Sequence, residues 1–373
     1  MHSSSRRNWL KQSSLAAFGI GFSLHTMAGE EYIPKQFGAD EGLINLGSNE
    51  NPYGISPKAK EAIRNLLDEA NRYSFNISSL KSFDAQLASH YGVSAANILV
   101  TAGSGEGLSL LARHFQHGNI IAATPTFGVL PNTVKKLGAE LIEVPLTTDK
   151  VHDLGAMLKA INSKTSLVYI CNPANPTSTI VNANDLKNFC IEASKKTAVL
   201  IDEAYFDFLD VPASDSLISL IEKNPNIIVI KTFSKIYAMA GLRVGFIIAH
   251  PSMINKIEPN YFQNSQFAVS VLSQTAALAS LTDSKHAIES KRKIVLARNY
   301  TMEELKNLNY RCIPSFTNFL FFKLNNYPGD FAKDMLKKNI LLRSNEYSDG
   351  KWARVSVGTA EEMKMFISTM KTV

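Results

Sequence analysis

The chain has 373 residues, 45% apolar and 19% charged, which is enough for two ordinary globular domains and excludes a disordered or fibrous protein. Its three cysteines are too few and too scattered for a disulfide framework or a thiolate metal site. The net charge of +6 falls to +3, with 36 basic against 33 acidic residues, once the first 28 residues are set aside. There is no long basic run and no apolar stretch of the roughly 18–20 residues that a membrane span needs, so we expect neither nucleic-acid binding nor a stable membrane span.

Residues 1–28 have the features of an export signal. The pair Arg6-Arg7 lies in a polar, basic start, a moderately apolar run covers residues 15–24, and small residues lead to a cleavage point after Ala28. The arginine pair and its surroundings resemble the twin-arginine pattern. We therefore expect the twin-arginine export machinery to be a partner and the location to be periplasmic or otherwise extracytoplasmic. If the signal does not function, the protein is expected in the cytoplasm.

After this segment, short apolar strands alternate with helical stretches. The pattern predicts seven strands, at 98–100, 119–123, 141–144, 167–170, 198–201, 227–230 and 244–249. It predicts helices at 57–71, 80–90, 108–115, 129–137, 183–195 and 285–307, and later strands at 319–322, 340–342 and 353–357. Because the seven runs are continuously apolar and rich in β-branched residues, we expect a parallel sheet covered by helices. Ligands bind such sheets where strands end, so the residues after each strand are the candidates.

Three of these strand ends carry unusual residues. Asp202 ends one apolar run and Tyr205 follows three residues later; Lys235 comes after the next run, eight residues before Arg243. Upstream, Asn175 belongs to a turn with two Asn-Pro pairs. Taken singly, the aspartate could be a helix N-cap, the lysine a solvated loop residue and the Asn-Pro pairs a plain turn. Their order and spacing together indicate a catalytic site.

Together these motifs resemble the fold-type I pyridoxal-phosphate aminotransferases and, within them, the histidinol-phosphate aminotransferase branch. The likeness begins at Tyr-Ile-Pro-Lys at 32–35 and Asn-Glu-Asn-Pro-Tyr-Gly at 49–54, and runs to Arg-Val-Ser-Val-Gly-Thr at 354–359. The Thr-Phe-Ser-Lys motif with its downstream Gly-Leu-Arg is specific for the superfamily. The resemblance implies an α/β fold with a large domain, 57–285, that has a mostly parallel seven-stranded sheet between helices. It implies a smaller α/β domain, 286–373, against which the N-terminal segment 29–56 packs.

The resemblance also implies pyridoxal 5′-phosphate as cofactor, held by Lys235 as a Schiff base. By the same likeness, Asp202 keeps the pyridine nitrogen protonated, and Tyr205 and Asn175 bond the phenolic oxygen of the ring. The remaining cofactor contacts implied are backbone amides, side-chain donors and one stacking aromatic: Ser104, Gly105, Thr232, Ser234, Arg243 and Phe127. Tyr73 is expected to reach the phosphate of a neighbouring subunit's cofactor, which implies a homodimer.

Substrate contacts are implied for four residues. Arg354 matches the arginine that binds the substrate α-carboxylate, Arg343 the one that meets the substrate phosphate, and Tyr32 a tyrosine near the substrate side chain; Asn175 serves substrate and cofactor. Plain strand or surface residues are the alternative for Arg354, Arg343 and Tyr32. No metal site is expected, because the two histidines at 114 and 117 are expected to lie on the surface of a helix.

The function implied is reversible transfer of an amino group between an amino acid, or L-histidinol phosphate, and a 2-oxo acid. Because export from the cytoplasm fits poorly with histidine biosynthesis, the amino donor stays open between histidinol phosphate and an aromatic or other amino acid. A pyridoxal-phosphate decarboxylase of the threonine-phosphate type, or a racemase, is an alternative on the same scaffold. A non-catalytic binding protein is disfavoured, because it would not need Asp202, Tyr205, Lys235 and Arg243.

Overall fold

A seven-stranded sheet lies at the centre of the computed structural model, which describes residues 42–80, 82–210, 215–261, 269–325 and 327–372. The strands are β1 Ile44–Asn45, β2 Ile98–Thr101, β3 Asn119–Thr124, β4 Leu141–Pro145, β5 Thr165–Cys171, β6 Ala198–Asp202, β7 Ile227–Thr232, β8 Gly245–Ala249, β9 Phe319–Lys323, β10 Ile340–Leu341, β11 Arg343–Tyr347 and β12 Gly350–Ser356. The helices are α1 Pro57–Leu66, α2 Phe83–Tyr91, α3 Ser104–His114, α4 Val129–Lys136, α5 Leu154–Ala160, α6 Ala183–Ser194, α7 Pro251–Tyr261, α8 Val271–Leu281, α9 Ser284–Asn307, α10 Phe331–Leu336 and α11 Ala360–Met370.

The central sheet confirms the predicted fold class. Its strand order is β2-β8-β7-β6-β5-β3-β4, and only β8 runs antiparallel to its neighbours. Every residue of β6, β7 and β8 is buried, as expected for strands covered by helices on both faces. The carboxyl ends of β5, β6 and β7 therefore lie next to one another, which brings the predicted strand-end residues to one edge of the sheet.

Strand alternation decides which residues reach which face. Leu200 packs in one core with α3, so Asp202, two residues later on β6, lies on the α3 side. Ile201 packs in the core on the opposite face, and Glu203 follows it to that side. There Glu203 forms a buried ion pair with Lys231, with 3.2 Å between Oε2 and Nζ. The two faces thus separate a structural ion pair from the candidate site.

A second group of strands lies in the C-terminal part of the chain. Strands β11, β12 and β9 form an antiparallel sheet in that order, and β1 pairs with β10 in parallel. Strands β9, β10 and β12 share a core with α9 and α11. The division of the chain at residues 56 and 285 stays a prediction. Among the described residues, no helix combines the length and apolarity needed to cross a bilayer.

Two predicted boundaries were wrong in ways that matter. The helix predicted over 57–71 ends at Leu66 and continues as a 3-10 turn, Leu67–Glu69. The strand predicted at 340–342 ends at Leu341. Arg343 begins a separate strand, β11, whose polar sequence Arg-Ser-Asn-Glu-Tyr gave no apolar signal.

Candidate active site

Asp202, at the carboxyl end of β6, is 1% exposed. Its Oδ1 accepts a hydrogen bond from the Ala204 amide at 3.1 Å, and its Oδ2 accepts one from the Tyr169 hydroxyl at 3.2 Å. Burial raises the pKa of Asp202 to about 6, against the lowering effect of these two donors and of Lys235. The carboxylate can therefore share a proton with a basic ring nitrogen on the α3 side of the sheet.

Lys235 lies three residues beyond β7 and is partly buried. Its ammonium donates to the carbonyl oxygens of Asn49, at 3.1 Å, and Ser48, at 3.4 Å, and lies 5.6 Å from the ring centroid of Tyr205. Burial lowers the pKa of Lys235 to about 8, with Arg354 contributing. A lysine that loses its proton near pH 8 is a competent nucleophile towards an aldehyde.

The Tyr205 hydroxyl accepts hydrogen bonds from two amides, Asn49 Nδ2 at 2.9 Å and Asn175 Nδ2 at 3.2 Å. Burial raises the pKa of Tyr205, so its hydroxyl keeps its proton and remains a donor. Asn49 is a site residue that sequence reasoning missed, although it opens the motif at 49–54. Its left-handed backbone (φ 53°) suits asparagine and directs both its carbonyl and its side chain into the site.

The loop where α3 begins presents backbone amides that suit an anion. Gly103 caps the helix with φ 83°, so the first amides, at Ser104 and Gly105, have no acceptor within the helix. A Cβ at Gly103 would collide with the Arg243 guanidinium. A Cβ at Gly245 would collide with the Ser104 nitrogen. Both glycines therefore keep space open beside these amides.

The side-chain donors predicted for a phosphate converge on the same loop. Arg243 donates from Nη1 to Ser234 Oγ at 3.4 Å and from Nη2 to the Ala102 carbonyl at 3.3 Å. Thr232 Oγ1 donates to Ser234 Oγ at 2.9 Å. One guanidinium, two hydroxyls and a helix N-terminus thus surround one point, which is the donor set that a phosphate group requires.

Two arginines meet on the other side of the site. Arg354 donates from Nη1 to Asn175 Oδ1 at 2.9 Å and from Nη2 to the Gly47 carbonyl at 2.8 Å. Arg343, its cross-strand partner, donates from Nε to the same carbonyl at 3.0 Å. The Nε of Arg354 is buried without a hydrogen-bond partner. Within the described ranges neither arginine forms an ion pair, so the two cations are available to an anionic substrate.

The remaining predicted residues have different positions. Phe127, after β3, is half-buried and lines a cavity of about 390 Å³ together with Asn175 and Arg354. Tyr73 lies at the surface, 63% exposed and stacked on Phe75 with 5.5 Å between ring centroids. Tyr32 lies outside the described residues. The structure thus groups the other predicted cofactor residues and leaves Tyr73 facing outwards.

Pyridoxal phosphate fits this donor set. The buried carboxylate suits the ring nitrogen, the amine suits the aldehyde, and the loop kept open by Gly103 and Gly245 suits the phosphate. Once bound, the cofactor supplies an electron-accepting ring and a carbonyl that can take up an amino group. The fold and this site define a pyridoxal-phosphate-dependent transferase of fold type I.

The chain belongs to the aminotransferases of class I and II, whose family model matches residues 41–370. It is 35% identical over 345 residues to the histidinol-phosphate aminotransferase of Bacillus licheniformis, covering 91% of this chain and 93% of the relative. It is 32% identical to the solved structure of a putative histidinol-phosphate aminotransferase from Erwinia carotovora atroseptica, with a TM-score of 0.83 and coverage of 90% and 98%. The histidinol-phosphate aminotransferase of Sinorhizobium meliloti in complex with pyridoxal 5′-phosphate, 24% identical, shares the fold with a TM-score of 0.80 over 91% and 96%. The protein is a transaminase that uses pyridoxal phosphate.

Proposed function

We propose that this transaminase takes its amino group from L-histidinol phosphate and passes it to a 2-oxo acid in a reversible reaction. The observation that carries the proposal is the pair of guanidinium groups on the Gly47 carbonyl, beside Asn175, neither of which pairs with an acidic side chain of the described residues. In this assignment Arg354 binds the carboxylate of the 2-oxo acid and Arg343 binds the phosphate of the donor. Several relatives at 31–35% identity are histidinol-phosphate aminotransferases, which supports this donor.

The chain's own groups then divide the work. Lys235 holds the aldehyde and, once released, moves a proton at the substrate Cα, oriented by the Asn49 carbonyl. Asp202 keeps the ring nitrogen cationic, and Tyr205 with Asn175 fixes the phenolic oxygen. A base with a pKa of about 8 gains and loses its proton readily near neutral pH, which a reversible proton transfer requires.

A single-turnover spectral screen tests the donor. Donors are added one at a time, without acceptor, to the cofactor-loaded protein, and conversion of the visible cofactor band to the amine form is followed. We expect rapid conversion by L-histidinol phosphate and slow conversion by aromatic, acidic and aliphatic amino acids. Faster conversion by an aromatic or other amino acid would contradict the proposed donor, and release of carbon dioxide from a phosphorylated amino acid would assign a decarboxylase instead.

Arg343→Ala tests whether Arg343 contacts the phosphate of the donor or supports the fold. It should slow conversion by L-histidinol phosphate about 10- to 100-fold, the effect of losing one hydrogen-bonded charge, and leave donors without a phosphate much less affected. Arg292→Ala is the matched control, because Arg292 pairs with Glu289 on the exposed face of α9. Equal losses for all donors would show that Arg343 supports the fold rather than the phosphate.

We further propose that the functional unit is a homodimer in which Tyr73 completes the partner's site. Three exposed apolar side chains in one stretch support this: Leu67 at 53%, Tyr73 at 63% and Phe75 at 45%. Mixing Lys235→Ala with Tyr73→Ala chains tests it. A shared site predicts recovery of roughly a quarter of wild-type activity, because about half of all dimers pair the two variants and each of these carries one intact site out of two. No recovery, or a monomer in analytical ultracentrifugation, would refute the arrangement.

We also propose that the twin-arginine-like signal directs the protein out of the cytoplasm. The donor proposal concerns the chemistry of the site and not a biosynthetic pathway, so donor and location are tested separately. Its support is the Arg6-Arg7 pair followed by the apolar run at 15–24. Cell fractionation of the full chain tests it, with Arg6→Lys combined with Arg7→Lys as the variant and Lys11→Arg as the control. Export of the wild type and retention of the double variant are expected, and equal cytoplasmic retention of all three would contradict the proposal.

A further inference from the structure

Tyr169 is a buried tyrosine that none of the roles above uses. It lies on β5, 0% exposed, in the core shared with Leu200 and α3. In the sheet register Cys171 is the partner of Asp202, so Tyr169, two residues earlier, is on the same face and diagonal to the carboxylate. Its hydroxyl donates to Asp202 Oδ2 at 3.2 Å. A phenylalanine would fill the same apolar space, so the hydroxyl needs an explanation beyond packing.

We propose that Tyr169 is a positioning residue for the cofactor, whose hydroxyl holds the Asp202 carboxylate in the orientation and charge state that the ring nitrogen needs. This rests on the proposed role of Asp202. The Ala204 amide fixes one carboxylate oxygen and Tyr169 the other, and each oxygen keeps a lone pair for the ring N–H. The hydroxyl thus prevents rotation of a carboxylate that accepts no hydrogen bond from a cationic side chain in the part of the chain that the structure describes.

The charge state follows from the same contact. Desolvation favours the neutral acid, and the Tyr169 hydrogen bond opposes it. The other ionisable groups that act on Asp202 are Lys235, Glu203 on the opposite face, and Cys171 and Tyr205 beside it. All of these stay in place in Tyr169→Phe. Loss of the hydroxyl therefore makes the carboxylate more basic, and the shared proton moves from the ring nitrogen towards Asp202.

The test compares Tyr169→Phe with wild type on the cofactor-loaded protein and needs no turnover. With nitrogen-15 in the pyridine ring, the bound nitrogen resonance should move towards the neutral-pyridine position. The second readout is the pH dependence of binding of pyridoxine 5′-phosphate, which has no aldehyde to react with Lys235. In Tyr169→Phe the fall in affinity on the acid side should begin about one pH unit higher, so that binding at acid pH is about tenfold weaker than in wild type. Tyr310→Phe, remote and packed on Phe322, is the matched control.

A cofactor analogue with carbon in place of the ring nitrogen tests whether Tyr169 acts through the ring nitrogen or only supports the local structure. Its affinity should be the same for Tyr169→Phe and wild type; equal weakening of both ligands would overturn the proposal. An unchanged nitrogen resonance in Tyr169→Phe would overturn it as well. Asp202→Asn distinguishes failure of the role proposed for Tyr169 from failure of the role proposed for Asp202. If Asp202→Asn moves the resonance and Tyr169→Phe does not, only this inference fails; if neither moves it, the proposed role of Asp202 fails too.

Discussion

Lys235→Met tests whether the folded protein holds its lysine at a lowered pKa. Burial lowers that pKa from 10.5 to about 8. Between these two values the unfolded chain carries a proton that the folded chain has released, so the lysine makes the free energy of unfolding rise with pH across that window. Below about pH 8 the full cost of burying the charge is present. Methionine removes this cost, so its gain in unfolding free energy should be about 2.5 kcal/mol larger at about pH 7 than at about pH 10.

Urea unfolding of the cofactor-free proteins, followed by fluorescence, measures this difference directly. Effects of the mutation that do not involve a proton, such as changes in apolar packing around the side chain, are the same at both pH values and cancel. Lys164→Met, at an exposed position, controls for the introduction of a methionine. A Lys235→Met gain that does not change with pH would refute the conclusion that the site lowers the pKa of its lysine.

Three further predictions concern groups around the site. Asp202→Asn should stabilise the cofactor-free protein by about 3 kcal/mol at about pH 7, because the pKa of Asp202 in the folded protein, about 6, lies above the ordinary 3.8. The gain should vanish as the pH falls below about 4, and an effect in urea unfolding that does not change with pH would contradict this. Gly245→Ala should cost about 1–3 kcal/mol of unfolding free energy and release cofactor on dialysis, because its Cβ displaces the Ser104 amide; retention equal to wild type would contradict it. Lys231→Met should lower the free energy of unfolding by about 3–5 kcal/mol, because it leaves Glu203 buried without its ion-pair partner. Adding Glu203→Gln should restore most of that free energy, and additive losses from the two substitutions in denaturant unfolding would contradict the ion pair.

Much of the large sheet could be predicted from the sequence because its signals are local. Continuous β-branched runs mark strands buried on both faces, and the polar residue that ends each run marks the edge where a ligand binds. That reasoning found Asp202 at the end of β6 and Lys235 beyond β7. The C-terminal helix was missed although its signal was present. Thr359 and Glu362 form a capping box, a local pattern that predicts a helix start.

Other contacts could not be predicted because they join distant parts of the chain. The Asn49 amide reaches Tyr205 across 156 positions, and its carbonyl receives Lys235 across 186. Strand β11 was missed because an exposed edge strand carries no apolar alternation. Consequently the pairing of Arg343 with Arg354, and their meeting on Gly47, emerge only from the folded register.

Lys235 is the residue that we expect to carry the cofactor. Borohydride reduction of the purified, pyridoxal-phosphate-loaded protein makes the link between lysine and cofactor permanent, and peptide mass spectrometry then locates the modified residue. We predict one modified lysine, Lys235. Lys235→Met should carry no modification, and Lys231→Met that remains folded should be fully modified at Lys235. Modification of a different lysine in the wild type, or of none, would contradict it.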